Sequence, residues 1–255
     1  MNYTSHGFTG EGCAGLKSFS RPRYFYGQLL DVRHFESEQD YFKRKIWMLN
    51  RMVSGYGVVC GLDVQVGADD HSVIVKPGLA LDKCGREIVV HCDSNAVTIE
   101  PMPADNDGDK KEQARHCEDE WVHLAICYEE CKTSPEPVMA GGCDSSERCS
   151  PGAIREGYEL RVIPGKAPEI SVDCDIPNLI KGNSVNYRAL ADWVSAPCES
   201  ESETCITLAN IRRGATVELS DIDISARPIV YSLDLLWQLV VALTHETQSR
   251  RSGKN

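Results

Sequence analysis

Four cysteines, Cys127, Cys131, Cys143 and Cys149, lie within 23 consecutive residues of a 255-residue chain. Four thiolates are the ligand set of a closed, tetrahedral structural zinc site. Their spacings of three, eleven and five intervening residues depart from the paired C-x2-C form. A zinc ion there would tie down a Pro/Gly-rich segment that has little apolar content of its own. The other reading of the four is that they are small packed core residues. Cys60 and Cys84 each abut a glycine and are read as packed thiols facing one another in a sheet. There are twelve cysteines in all, and the opening MNYTSHGFTGEG has neither a basic nor an apolar signal region. That combination points to a cytoplasmic chain with free thiols or metal ligands rather than disulfides.

Other spacings that suggest chemistry lack the context the chemistry requires. Gly55-Tyr56-Gly57-Val58-Val59-Cys60-Gly61 reads GxGxxxG, close to a dinucleotide fingerprint. A phosphate loop, however, follows a strand and opens a helix, whose N-terminal amides hold the anion. Here a helix ends and a strand begins, so Gly55, Gly57 and Gly61 are read as a helix-to-sheet joint. DNDGD (105–109) alternates carboxylates like a calcium loop, but its glycine comes too early and His116 replaces the bidentate Glu. His34-Phe35-Glu36 with Pro197-Cys198 matches part of a zinc-deaminase signature, yet the second cysteine is displaced to Cys205. No GxSxG, HExxH or Walker sequence is present. No enzyme is expected, and no cofactor beyond the structural zinc. Two alternatives stay open: a zinc-dependent enzyme, and a β-rich glycan-binding adhesive module stacking its ligand on Trp121, Trp193 and Tyr128.

The elements that position these residues follow from periodicity. A helix is predicted from Asp31 to Val53, with Asp31 as N-cap and Gly55 as stop. Phe35, Gln39, Phe42, Ile46, Leu49 and Val53 are spaced 4-3-4-3-4, a heptad seam with one polar member. Trp47 and Met48 lie off it and imply a second contact. The seam either lies on the protein's own sheet or joins subunits, with Gln39 setting the register. Period-two runs after Gly57 predict strands at 58–66, 72–78, 79–90, 95–100, 121–129, 157–163, 205–211 and 215–219, with a short helix at 187–194. The helix closing the chain, about Ser232–Gln248, carries Leu235, Leu239 and Leu243. The expected fold is α+β: an N-terminal amphipathic helix, a mainly antiparallel β domain and a C-terminal helix. Its parts are an arm (1–20), an assembly helix region (21–56), a β-rich domain (57–165) with loops at 101–120 and 131–156, and a smaller mixed α/β region (166–255).

Charge and length exclude some partners. A net charge of -11 argues against nucleic acid, which calls for clustered Lys and Arg. The most apolar segment, 229–243, contains Asp234 and is shorter than the roughly 20 residues of a spanning helix, so no direct transmembrane segment is expected.

RPRYFYGQLLDVRHFESEQDYFKRKIWMLNRMVSGYGVVCGLDV (21–64) and VKPGLALDKCGREIVV (75–90) together resemble a family of baseplate-associated structural proteins. Such proteins are encoded in contractile injection system clusters, whose products are phage-tail-like particles with sheath, tube and baseplate. CYEECKTSPEPV (127–138), RCSPGAIREGYELRV (148–162) and IDISARPIVYS (222–232) fit the same pattern in patches. The helix followed by GxGVVxGLxV and VxPGxA is also similar to phage baseplate and tail-fibre attachment proteins. The resemblance implies a structural role at the baseplate periphery or in a fibre or anchor connector. It implies baseplate, fibre or membrane-anchor subunits as partners, a homo-oligomer for which the 3.5-residue spacing permits a trimer, and a place within the particle. The cysteines at 127, 131, 198 and 205 depart from the family pattern, so the resemblance implies no metal site.

Overall fold

The computed structural model describes residues 18–101, 120–138, 149–170, 174, 176–182, 184–198, 204–214 and 216–252, with the side chains of the closing helix described as far as Leu243. The chain is α+β. Helix α1 spans Val32–Leu49, followed by a π-helical turn, Asn50–Ser54. Six short strands come next: β1 (Gly57–Gly61), β2 (Val64–Val66), β3 (Ser72–Val75), β4 (Gly78–Leu81), β5 (Glu87–Val90) and β6 (Val97–Thr98). Two long strands follow, β7 (Trp121–Pro137) and β8 (Cys149–Pro164), then the small pair β9 (Ile180–Lys181) and β10 (Ser184–Val185). Helix α2 (Tyr187–Val194), β11 (Ile206–Arg212), β12 (Ile222–Asp223) and helix α3 (Leu233–Ser252) complete the order.

Among the described residues every strand ladder is antiparallel, in the orders β1-β4-β5, β2-β3-β6, β12-β11-β7-β8 and β10-β9. The first three sheets share one core, which includes Leu62, Val64, Val73, Val75, Ile88, Leu124, Ile126, Ile206, Leu208 and Ile211, each at most 2% exposed. Each such side chain contributes roughly 1.5–3 kcal/mol by leaving water. In β7 the alternate residues Val122, Leu124 and Ile126 all face this core, as a period-two run requires.

Two expectations are corrected. The helix predicted to Val53 is α-helical only to Leu49; its last turn is π, where the turn carrying Gly85 presses against the helix backbone at Trp47 and Arg51. Of the segment 131–156, expected as a loop, the described residues 131–137 and 149–156 instead prolong β7 and β8 into a ribbon, paired from Cys131 with Arg155 out to Pro137 with Cys149. Its Pro, Gly and Ser content reads as loop, because proline withholds a ladder donor. The ribbon tolerates them because β11 starts at the Ile206–Ile126 pair, so among the described residues the outer half of β7 is hydrogen-bonded on one side only. Pro135 and Pro151 sit opposite each other there. The expected loop at 101–120 lies almost wholly outside the described residues.

Candidate assembly interface

Helix α1 begins at a well-made cap. The Asp31 carboxylate accepts from the Val32 N–H at 2.7 Å, and His34 Nδ1 accepts from the Asp31 N–H at 3.1 Å. At its other end the helix is seated on the β domain by a turn built around Asp82. Asp82 Oδ1 accepts from the Cys84 and Arg86 N–H groups, both at 2.8 Å, and Oδ2 accepts from Arg86 Nε at 2.6 Å. Burial pushes the Asp82 carboxyl above the ordinary carboxylate range, while Arg86 and these amides work against that rise.

The turn offers Gly85 to the helix. Gly85 has a positive φ of 85°, and a Cβ there would run into the Trp47 carbonyl. Asn50 Nδ2 then donates to both Gly85 O (2.9 Å) and Glu87 Oε1 (2.7 Å). Beside it, Trp47 meets the Tyr128 ring edge-on at 6.4 Å, and the Arg86 guanidinium lies 4.6 Å from the Tyr128 centroid. Tyr128 donates to Glu130 at 2.8 Å, and Lys43 pairs with Glu130 at 3.7 Å. Burial first, and the Glu130 hydrogen bond next, push the Tyr128 hydroxyl above the tyrosine range, so it remains a donor. The second contact expected of Trp47 is this one.

The seam points elsewhere. Ile46 directly precedes Trp47, and one residue turns an α-helix by about 100°. Phe35, Phe42, Ile46, Leu49 and Val53 are exposed by 50–79%, and Gln39 is exposed with them. The own-sheet alternative for the seam is therefore set aside: α1 has no buried residue and rests on its domain by a different face. Residues 19–24 cross the helix near Phe42, with Phe19 edge-on to Tyr41 and Tyr24 donating to Glu38 at 2.8 Å.

Gly55, Gly57 and Gly61 lie where the helix passes into β1. Gly55 ends the π turn at φ 76°, and Gly61 faces Gly78 across the β1–β4 ladder. Gly57 has φ 130°, and a Cβ on it would lie 2.6 Å from the Pro228 carbonyl. No phosphate cradle forms here.

The four-cysteine zinc cluster is not brought together. Cys127 is disulfide-bonded to Cys205, each one residue beyond the Ile126–Ile206 pair that ends the β7–β11 ladder, and so is withdrawn from metal binding. Cys131 pairs with Arg155 while Cys149 pairs with Pro137, six ladder positions apart, or about 20 Å at strand rise. Cys143 lies outside the described residues. No group of three or more His, Cys, Asp or Glu placed to hold a metal occurs among the described residues. The disulfide also corrects the expectation of free thiols throughout. Cys84 is disulfide-bonded as well, and Cys60 is exposed opposite Leu79, so these two do not face each other. Sequence spacing had no means of finding the 127–205 bond, whose partners are 78 residues apart.

Nor do the three aromatics form one platform. Tyr128 is packed under Trp47 and Arg86, Trp121 lies seven residues away on the other face of β7 beneath Lys166, and Trp193 is on α2.

No protein-family model matches the chain, and no curated protein does. Among solved structures, the crystal structure of TssK matches over 77% of this chain at 10% identity and a TM-score of 0.37. The chain spans 39% of that protein's length. A likeness of this degree carries no argument about function.

Proposed function

We propose that the chain is a non-enzymatic structural subunit of a phage-tail-like contractile injection particle, at the baseplate periphery or in a fibre or anchor connector. It acts through protein–protein interfaces, including contacts between its own copies. The observation that carries the reading is the exposed seam. Six residues at heptad spacing stand in solvent on a helix that is separately fixed to a compact β domain. Apolar seams of this kind mark association sites. The sequence resemblance over 21–64 and 75–90 supports the particle as the setting. No helix among the described residues is long and apolar enough to cross a membrane.

Affinity purification of the tagged chain from cells expressing the whole particle tests this. Sheath, tube or baseplate subunits are expected in stoichiometric amounts. A chain that stays monomeric and recovers none of them would overturn the assignment.

A further inference from the structure

Residues 19–24 and helix α1 enclose a groove whose charge nothing in the chain answers. Phe19 is held edge-on to Tyr41 at 6.4 Å, and the Tyr24 hydroxyl donates to Glu38 at 2.8 Å, so the segment is fastened to the helix at both ends. The groove has a volume of about 320 Å³ and is lined by Arg21, Arg23 and Tyr24 on the segment and by Glu38, Tyr41 and Phe42 on the helix. That is near the lower end of ligand sites, roughly 300–1,000 Å³, and suits a few residues rather than a domain.

Its two guanidiniums are unpaired in an acid-rich chain. Acidic residues number 38 against 27 Lys and Arg, and Arg33, Arg44, Arg86, Arg188 and Arg212 each form an ion pair with a carboxylate. Arg21 and Arg23 are exposed and, among the described residues, form neither an ion pair nor a hydrogen bond. Glu38 lines the same groove but is taken by Tyr24. Lys45 adds a third positive charge, its Nζ 5.4 Å from the Tyr41 centroid.

This chemistry selects a carboxylate-bearing peptide. A guanidinium fork matches a carboxylate with two parallel hydrogen bonds. Tyr41 and Phe42 meet edge-on at 5.3 Å and give the groove an apolar floor, which a bare anion would leave in water. Nucleic acid is also anionic, but its phosphates would meet the chain's net charge of -11. Residues 19–24 belong to no helix or strand, and among the described residues no backbone hydrogen bond joins them to another segment. Their N–H and C=O groups are open to an incoming extended chain. Such a chain alternates its side chains, so acids at every second position match Arg21 and Arg23, and the apolar residues between them turn to the floor.

We infer that the groove between residues 19–24 and α1 binds an extended acidic segment of a partner protein, with carboxylates on Arg21 and Arg23 and an apolar side chain on Tyr41 and Phe42. This goes beyond the copy-to-copy role of the α1 seam and does not depend on it.

The test uses the full chain and two fluorescein-labelled probes, Glu-Leu-Glu-Phe-Glu-Leu and Lys-Leu-Lys-Phe-Lys-Leu, read by fluorescence anisotropy. Wild type is expected to bind the Glu peptide, more weakly as salt rises, and to ignore the Lys peptide. Arg21→Glu with Arg23→Glu should weaken the Glu peptide at least about tenfold and gain the Lys peptide, with an unchanged circular dichroism spectrum, since neither arginine has a partner to lose. A wild type that binds neither peptide, or both equally, overturns the inference, as does a double variant that binds the Glu peptide like wild type. Light scattering on the same samples separates the groove from the seam. A monomeric wild type that binds the Glu peptide keeps the groove and removes the copy interface. An oligomer that dissociates as the peptide binds would show the groove to be filled by a second copy, and overturns the inference.

Discussion

At residue scale, single backbone positions fix where the helices leave the β domain. Gly57 combines a φ of 130° with a Pro228 carbonyl that leaves no space for a Cβ. Gly57→Ala is expected to cost at least about 2 kcal/mol, from left-handed strain together with displacement of the 228–230 segment. Urea denaturation followed by circular dichroism measures it, and an unchanged midpoint would contradict the close approach. The Asp31 cap is a smaller term: Asp31→Ala should remove about 1 kcal/mol and fray the first turn of α1, read as a loss of helical signal. Both residues were legible in the sequence, Asp31 as a cap and Gly57 as part of a joint. Gly85 was not, because nothing in Lys83-Cys84-Gly85-Arg86 reveals that a helix backbone lies against it.

At element scale, period and capping located α1, strands β1 to β6 and β11, α2 and α3, but not β9, β10 or β12, and the strand expected at 215–219 does not form over its described residues 216–219. Two further features were misread for physical reasons. The β7–β8 ribbon carries prolines and glycines that normally end a strand, and it persists because, among the described residues, the outer part of β7 has one ladder partner only. The Cys127–Cys205 bond joins β7 to the residue that precedes β11, and no local pattern encodes a partner 78 residues away. In the chain-entropy account, a cross-link over that separation stabilises by up to about 4 kcal/mol. Replacing both cysteines by alanine should therefore lower the melting temperature by roughly 10 °C for a domain of this size. Differential scanning calorimetry checks it, together with a thiol count two lower in the native protein than in the reduced one for this pair. A melting temperature that does not move would show that the bond adds nothing to the fold.

At the scale of the whole molecule, the seam spacing was legible in the sequence, but the direction in which the seam faces was not. Periodicity shows that Phe35, Phe42, Ile46 and Leu49 share a face; only the seating of Trp47 and Asn50 on Tyr128, Gly85 and Glu87 shows that this face is exposed rather than laid on the β domain. The zinc expectation failed at this scale too, because the β7–β8 ladder carries Cys131 and Cys149 apart and β11 engages Cys127. The central claim is that the α1 seam joins copies of the chain. Size exclusion with light scattering, on wild type and on Phe42→Lys with Ile46→Lys, tests it most directly. Both residues are at least half exposed in the single chain, so the substitutions should leave its stability within about 0.5 kcal/mol. Wild type is predicted to run as a discrete oligomer and the double variant as a folded monomer of 28.2 kDa. Equal masses for the two proteins would contradict the account.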